Sequence, residues 1–173
     1  MYDISNFDNV NDYLPMLNSV IITDILIMVL ALSGLMFQST ILFEWYKKFT
    51  LGAVITDVLI IVLGLILTRY LYPKIFKTFE LWKFILLAVA IQIIHDYLFY
   101  KLVLSIPRGK SSIMDVFYEY GKENGVKAIM ADSFMMVVAA LVFSYLGDKS
   151  TNTNIIVLIM SVYMVPYLVY SMK

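Results

Sequence analysis

Ile22-Thr23-Asp24-Ile25-Leu26-Ile27-Met28-Val29-Leu30-Ala31-Leu32 returns almost unchanged as Ile55-Thr56-Asp57-Val58-Leu59-Ile60-Ile61-Val62-Leu63-Gly64-Leu65. A looser copy runs Met130-Ala131-Asp132-Ser133-Phe134-Met135-Met136-Val137-Val138-Ala139-Ala140. Each copy sets one carboxylate inside a stretch apolar enough to cross a bilayer. A further apolar stretch carries His95-Asp96. An ionisable group within a membrane span costs about 3 kcal/mol on insertion scales. A chain that accepts this cost four times points to its carboxylates as the place to look for function.

Working outward, the whole chain shares this character. It has 173 residues, 61% of them hydrophobic, with mean hydropathy +0.83. Soluble domains are roughly 45–50% apolar, and a soluble fold of this size could not hide the excess. The composition therefore predicts an all-α integral membrane bundle. Formal net charge is zero, so no basic face suggests nucleic acid. The absence of cysteine removes disulfides, thiolate metal sites and cysteine nucleophiles.

A span needs about 20 mostly apolar residues. Five runs qualify, at about 19–43, 51–72, 81–105, 126–146 and 154–172. The first is too long for a signal-peptide core and reads as a retained span. Residues 1–17 read as a polar tail, and 18–173 as a single transmembrane domain. Trp45, Tyr46, Tyr70, Tyr72, Trp82 and Tyr145 fall at expected boundaries, as an interfacial aromatic belt would. Pro166 should kink the last helix. Residues 112–124 differ: Ile113, Val116, Phe117 and Tyr120 share one face, and Asp115, Glu119, Lys122 and Glu123 lie mostly opposite. This is an amphipathic, interfacial helix, with Ser112 and Asp115 spaced as a capping box. Five spans place the termini on opposite sides. Eight Lys and Arg then fall on the C-terminal side (Lys47, Lys48, Lys101, Arg108, Lys110, Lys122, Lys127, Lys173). Five fall on the other (Arg69, Lys74, Lys77, Lys83, Lys149). The bias favours a cytoplasmic C-terminus.

Alternating helix direction brings Asp57, Asp96 and Asp132 to similar depth. Positions four before and seven after share a helix face. For Asp57 these are Ala53 and Gly64, and for Asp132, Ala128 and Ala139. Small residues mark close helix contact, so these carboxylates should face the bundle interior. Gln92, Asp96 and Tyr100 share a face, with His95 one step round. Asp24 lies on the N-terminal side, where Arg69 is its expected ion-pair partner and Lys83 a second candidate by depth. Three carboxylates at one depth cannot all stay charged and unpaired. They can hold a proton, pair with Lys101, Lys127 or His95, or bind a cation. Oxygen ligands suit Na⁺, Mg²⁺ or Ca²⁺, and His95 would admit Zn²⁺ or Mn²⁺. The plainer reading makes each Asp an interhelical hydrogen-bonding group helped by Thr23, Thr56 and Ser133, and the pair Met135-Met136 packing.

Nucleotide-binding G-x-x-x-x-G-K-[ST] and G-x-G-x-x-G motifs do not occur, nor do H-E-x-x-H or G-x-S-x-G. An enzyme is the least supported class.

The stretch His95-Asp96-Tyr97-Leu98-Phe99-Tyr100 is followed by Ile106-Pro107 with Gly109, Asp115-Val116-Phe117 and Ala131-Asp132-Ser133-Phe134-Met135-Met136. With Thr56–Gly64, this pattern resembles small multi-span membrane proteins of nucleocytoplasmic large DNA viruses over about residues 50–172. The resemblance implies a viral origin and residence in a host internal membrane or a virion inner membrane, and supplies no mechanism.

Two functions follow as expectations. One is a proton or cation pathway lined by Asp57, Asp96, Asp132, Gln92, His95 and Tyr100, with a bound proton or cation. The other is a structural membrane protein, homo-oligomeric, whose Asp residues fix helix packing. In either case the bilayer is the first partner.

Overall fold

The computed structural model describes residues 2–33 and 40–171. Among them the only regular secondary structure is helical, without strands. A 3-10 turn at Val10–Asp12 leads into α1 (Tyr13–Leu32). There follow α2 (Thr40–Phe49), α3 (Leu51–Ile75), α4 (Leu81–Ser105), α5 (Ser112–Asn124), α6 (Val126–Gly147) and α7 (Thr151–Val169). Five of these helices are long and apolar enough to cross a membrane: α1 with its leading turn, α3, α4, α6 and α7. The protein is a membrane-embedded helical bundle.

The first span differs from its expected limits of 19–43. It starts at Tyr13 and ends at Leu32, and residues 34–39 lie outside the described residues. Hydropathy missed the early start because the first turns of α1 carry Asn18 and Ser19, which are fully buried among other helices. Pro15 is tolerated because first-turn N–H groups have no intrahelical partner. The expected polar tail is likewise folded: Ile4, Ser5 and Asp12 are buried.

α1 is the most enclosed helix and packs on α6, α7 and α3, while α4 lies against α6 and α3. The outer helices turn apolar stripes outward. On α3, Ile55, Leu59 and Leu63 recur every fourth residue and are exposed, while Val54, Val58, Ile61 and Leu65 are buried. A helix apolar on both its inner and outer faces is stable in lipid, where no polar face is needed.

The repeated phrase acquires a structural meaning. A short helix, α2, passes through Thr50 (φ 49°, ψ −123°) into α3. A second short helix, α5, passes through Gly125 (φ 44°, ψ −116°) into α6. Both joints are one residue long and adopt nearly the same backbone conformation. Asp57 and Asp132 each follow their joint by seven residues. The copies in α3 and α6 therefore run the same way along the bundle, with their carboxylates at matching depth. The copy in α1 runs in the opposite direction.

The amphipathic helix expected at 112–124 is present as α5, packed on α4, α2 and α6. Its cap differs in detail. Ser111, not Ser112, is the N-cap and accepts from the Met114 N–H, while the Asp115 carboxylate accepts from the Gly109 N–H at 3.1 Å. The tight turn at Gly109 (φ 82°) lets Asp115 reach back. α7 continues through Pro166 to Val169.

Candidate functional site

A cavity of about 450 Å³ opens where α1 ends, α3 starts, α4 ends and α6 starts, with α2 and α5 closing over it. Asp57 of α3, Gln92, His95, Asp96 and Tyr100 of α4, and Asp132 of α6 all line it. All six residues expected to form a pathway thus face one space. Gln92 Nε2 donates to Asp96 Oδ1 at 2.7 Å, as the shared face of positions four apart requires. His95 Nδ1 lies 3.3 Å from the same oxygen. The other oxygen of Asp96, Oδ2, is buried and has no partner among the described residues.

Asp57 is held differently. Trp45 Nε1 donates to its Oδ2 at 3.1 Å. Trp45 and Tyr46 were expected in an interfacial belt, but both are buried. α2 folds back over the open end of the bundle and drives these two rings inward. Thr56 and Thr23 do not serve the carboxylates: their hydroxyls donate to the Gly52 and Ser19 carbonyls of their own helices, at 2.8 Å each. Lys101 lies over the Tyr97 ring at 5.5 Å, and Lys127 is at the cavity wall. Met136 is fully buried and Met135 nearly so, consistent with packing.

Tyr120 of α5 reports the combined field. Burial pushes its phenol up, and the charges of Asp132, Asp57 and Asp96, in that order, push it further. Tyr100 packs its ring on Gly121 so closely that a Cβ there would lie 2.9 Å from Tyr100 Cε2.

The Asp24–Arg69 pair is not formed. Because α1 begins at Tyr13, Asp24 sits in mid-helix, about 16 Å from the helix start at 1.5 Å per residue. There Tyr46 donates to its Oδ1 at 3.0 Å, and Oδ2 is buried without a partner among the described residues. Arg69 instead meets Asp12 at 2.8 Å. Its Nη2 also donates to the Asn9 carbonyl at 3.1 Å and to that of Asn6. Asp12 further accepts from Tyr2 at 2.7 Å and Asn9 at 3.0 Å. The Tyr13 and Phe143 rings flank the guanidinium. One signal could have located this knot: a tail with Asp3, Asp8 and Asp12 but no Lys or Arg, facing an Arg embedded in an apolar run.

Asp57, Asp96, Asp132 and His95 were also metal candidates. Among the described residues no group of three or more His, Cys, Asp or Glu gathers closely enough to hold a metal ion. The carboxylates line the walls of a space instead of converging on a point.

Fold and site together define a polytopic helical membrane protein with a carboxylate-lined internal cavity. Comparison with protein-family models, curated proteins and solved structures finds no match for this chain.

Proposed function

We propose that this protein carries protons or a small cation across or into its membrane, using the α3–α4–α6 cavity as the binding site. The observation that carries this reading is one space of about 450 Å³ lined by Asp57, Asp96 and Asp132 from three different helices. Negative charge gathered in a low-dielectric space has to be balanced by a proton or a cation. Gln92 and His95 orient Asp96, and Trp45 orients Asp57, so two of the three groups are preset to receive it. Beyond the cavity, Leu65, Met136, Ala139, Phe143 and Arg69 fill the bundle. The geometry therefore supports access from one side, as in a carrier that exposes its site alternately, over a continuous pore. The resemblance to large-DNA-virus membrane proteins would put this activity in a host internal or virion membrane.

Flux in proteoliposomes tests the reading. Wild-type protein should conduct protons or cations under a pH or ion gradient, and a folded Asp57→Asn/Asp132→Asn double variant should not. Absence of wild-type flux across pH and with voltage applied would refute it. A structural role is the alternative. It is favoured by the buried polar ties Arg69–Asp12 and Asn18–Asn154 (Nδ2 to carbonyl, 2.7 Å), which lock α1 to α3 and α7. On that reading the double variant changes detergent stability or oligomer size and nothing else.

A further inference from the structure

We infer that the cavity binds an aromatic or alkylated organic cation, a protonated or quaternary amine, in preference to a bare metal ion. The inference rests on the proposed reading of this cavity as a cation site and names the class of cation.

Two features carry it. The first is how the acids are arranged. A hard cation such as Ca²⁺ takes six to eight oxygens at about 2.3–2.6 Å. Here the described residues form no such cluster, and the carboxylates are spread around a space of about 450 Å³. That volume lies within the roughly 300–1,000 Å³ of small-molecule sites.

The second is the wall between the acids. Trp45 meets Phe117 at a tilt of 48° with ring centroids 4.7 Å apart. Phe117 meets Phe99 edge-on at 5.0 Å. Phe99 stacks on His95 at 5.8 Å. This ladder of four rings crosses from α2 through α5 to α4, and each end is tied to a carboxylate: Trp45 to Asp57 and His95 to Asp96. Tyr100 and Tyr120 add two more rings to the lining. Aromatic faces attract cations through their quadrupole, most strongly when desolvated. Alkyl or aryl groups on the cation gain from apolar burial. A hydrated metal ion gains neither. Asp96 Oδ2, buried without a partner among the described residues, offers an acceptor to an N–H or a positive N–CH₃ group.

Trp45 supplies its own reporter. Trp82, the only other tryptophan, is exposed near the opposite end of α4, and Trp82→Phe leaves Trp45 as the sole indole. In detergent-solubilised full-length protein, benzyltrimethylammonium should quench or shift Trp45 emission saturably. Its uncharged carbon isostere, 2,2-dimethylpropylbenzene, should bind about tenfold more weakly or not at all. Asp132→Asn and Asp96→Asn should each weaken the charged probe about tenfold, while Asp148→Asn, on an exposed residue, should not. Equal binding of both probes, or no saturable change with the charged one, overturns the inference without requiring any acidic variant to fold. Displacement of the probe by micromolar Ca²⁺ or Mg²⁺ would overturn it too. Proton or Na⁺ flux without probe binding would leave the transport reading standing and sink this one. Probe binding without flux would do the reverse.

Discussion

The two ends of this bundle solve the problem of buried charge in opposite ways. At the N-terminal end, Arg69 and Asp12 are fully buried, and the chain wraps them with Tyr2, Asn6 and Asn9. Tyr2 in turn sits on Gly147, where a Cβ would collide with its ring. At the other end, three carboxylates from three helices surround open space with no Arg or Lys ion pair among the described residues. The first end spends polar groups on closure, and its charges are neutralised in place. The second keeps charge available. The difference teaches that burial of ionisable residues in a membrane bundle does not by itself mark a site. The mark is burial around a space.

The largest effect should come from opening the closed end. Arg69→Ala leaves Asp12 buried and unpaired and should cost about 3–5 kcal/mol, read as a lowered melting temperature in detergent. Loss of less than about 1 kcal/mol would mean that the N-terminal segment does not hold the bundle together. Next comes the tie between α2 and α1. Tyr46→Phe removes the hydrogen bond to Asp24 and should cost about 1–3 kcal/mol at neutral pH.

The same tyrosine gives a pH test. Burial first, and then the charges of Asp24 and Asp57, hold its phenol well above the usual tyrosine value. Its folded pKa exceeds its unfolded one, so its contribution is complete below about pH 10 and is lost as pH rises beyond that. Alkaline unfolding should begin above about pH 10 in the wild type. It should begin at higher pH in Tyr46→Phe, and higher again when Tyr120→Phe is added, because Tyr120 is raised in the same direction.

Smaller effects sharpen the picture of the hollow end. Gly121→Ala should push Tyr100 toward the cavity, costing about 1–3 kcal/mol and weakening any probe bound there. Gly52→Ala, with open space around it, should be neutral or stabilise by up to about 1 kcal/mol. Changes of similar size are expected at the joints. Thr50 carries a positive φ that suits glycine, and Gly125 holds the equivalent place. Thr50→Gly should therefore stabilise slightly and Gly125→Ala destabilise, each by about 1 kcal/mol. Equal and opposite melting shifts would show that the two joints are equivalent.

Much of this architecture was legible in the sequence because lipid imposes a strong rule: long apolar runs become helices. The limits of α3, α4 and α6 follow it closely, and those of α5 follow its amphipathic spacing. α1 broke the rule because it lies at the centre, where Asn18, Ser19 and Asp24 find protein partners and polarity no longer signals a loop. The grouping of Asp57, Asp96 and Asp132 follows from helix direction and counting. The partners of Asp24 and Arg69 do not, since they depend on where α1 starts and on Asp12, which looked like part of a solvated tail. Trp45 and Tyr46 were misplaced for a related reason. An aromatic pair beside Lys47-Lys48 has the composition of an interface, and only the fold-back of α2 turns it inward.

The matched joints at Thr50 and Gly125 have an electrical consequence. Seven residues of helix measure about 10 Å at 1.5 Å per residue. If α3 and α6 enter the hydrocarbon at their first turns, Asp57 and Asp132 lie roughly a third of the way through a core about 30 Å thick. A full crossing of 100 mV is worth about 2.3 kcal/mol per charge. A cation reaching these carboxylates from the α2–α5 side would therefore cross about a third of the membrane field. Its occupancy should respond to voltage with a slope of about 0.8 kcal/mol per 100 mV.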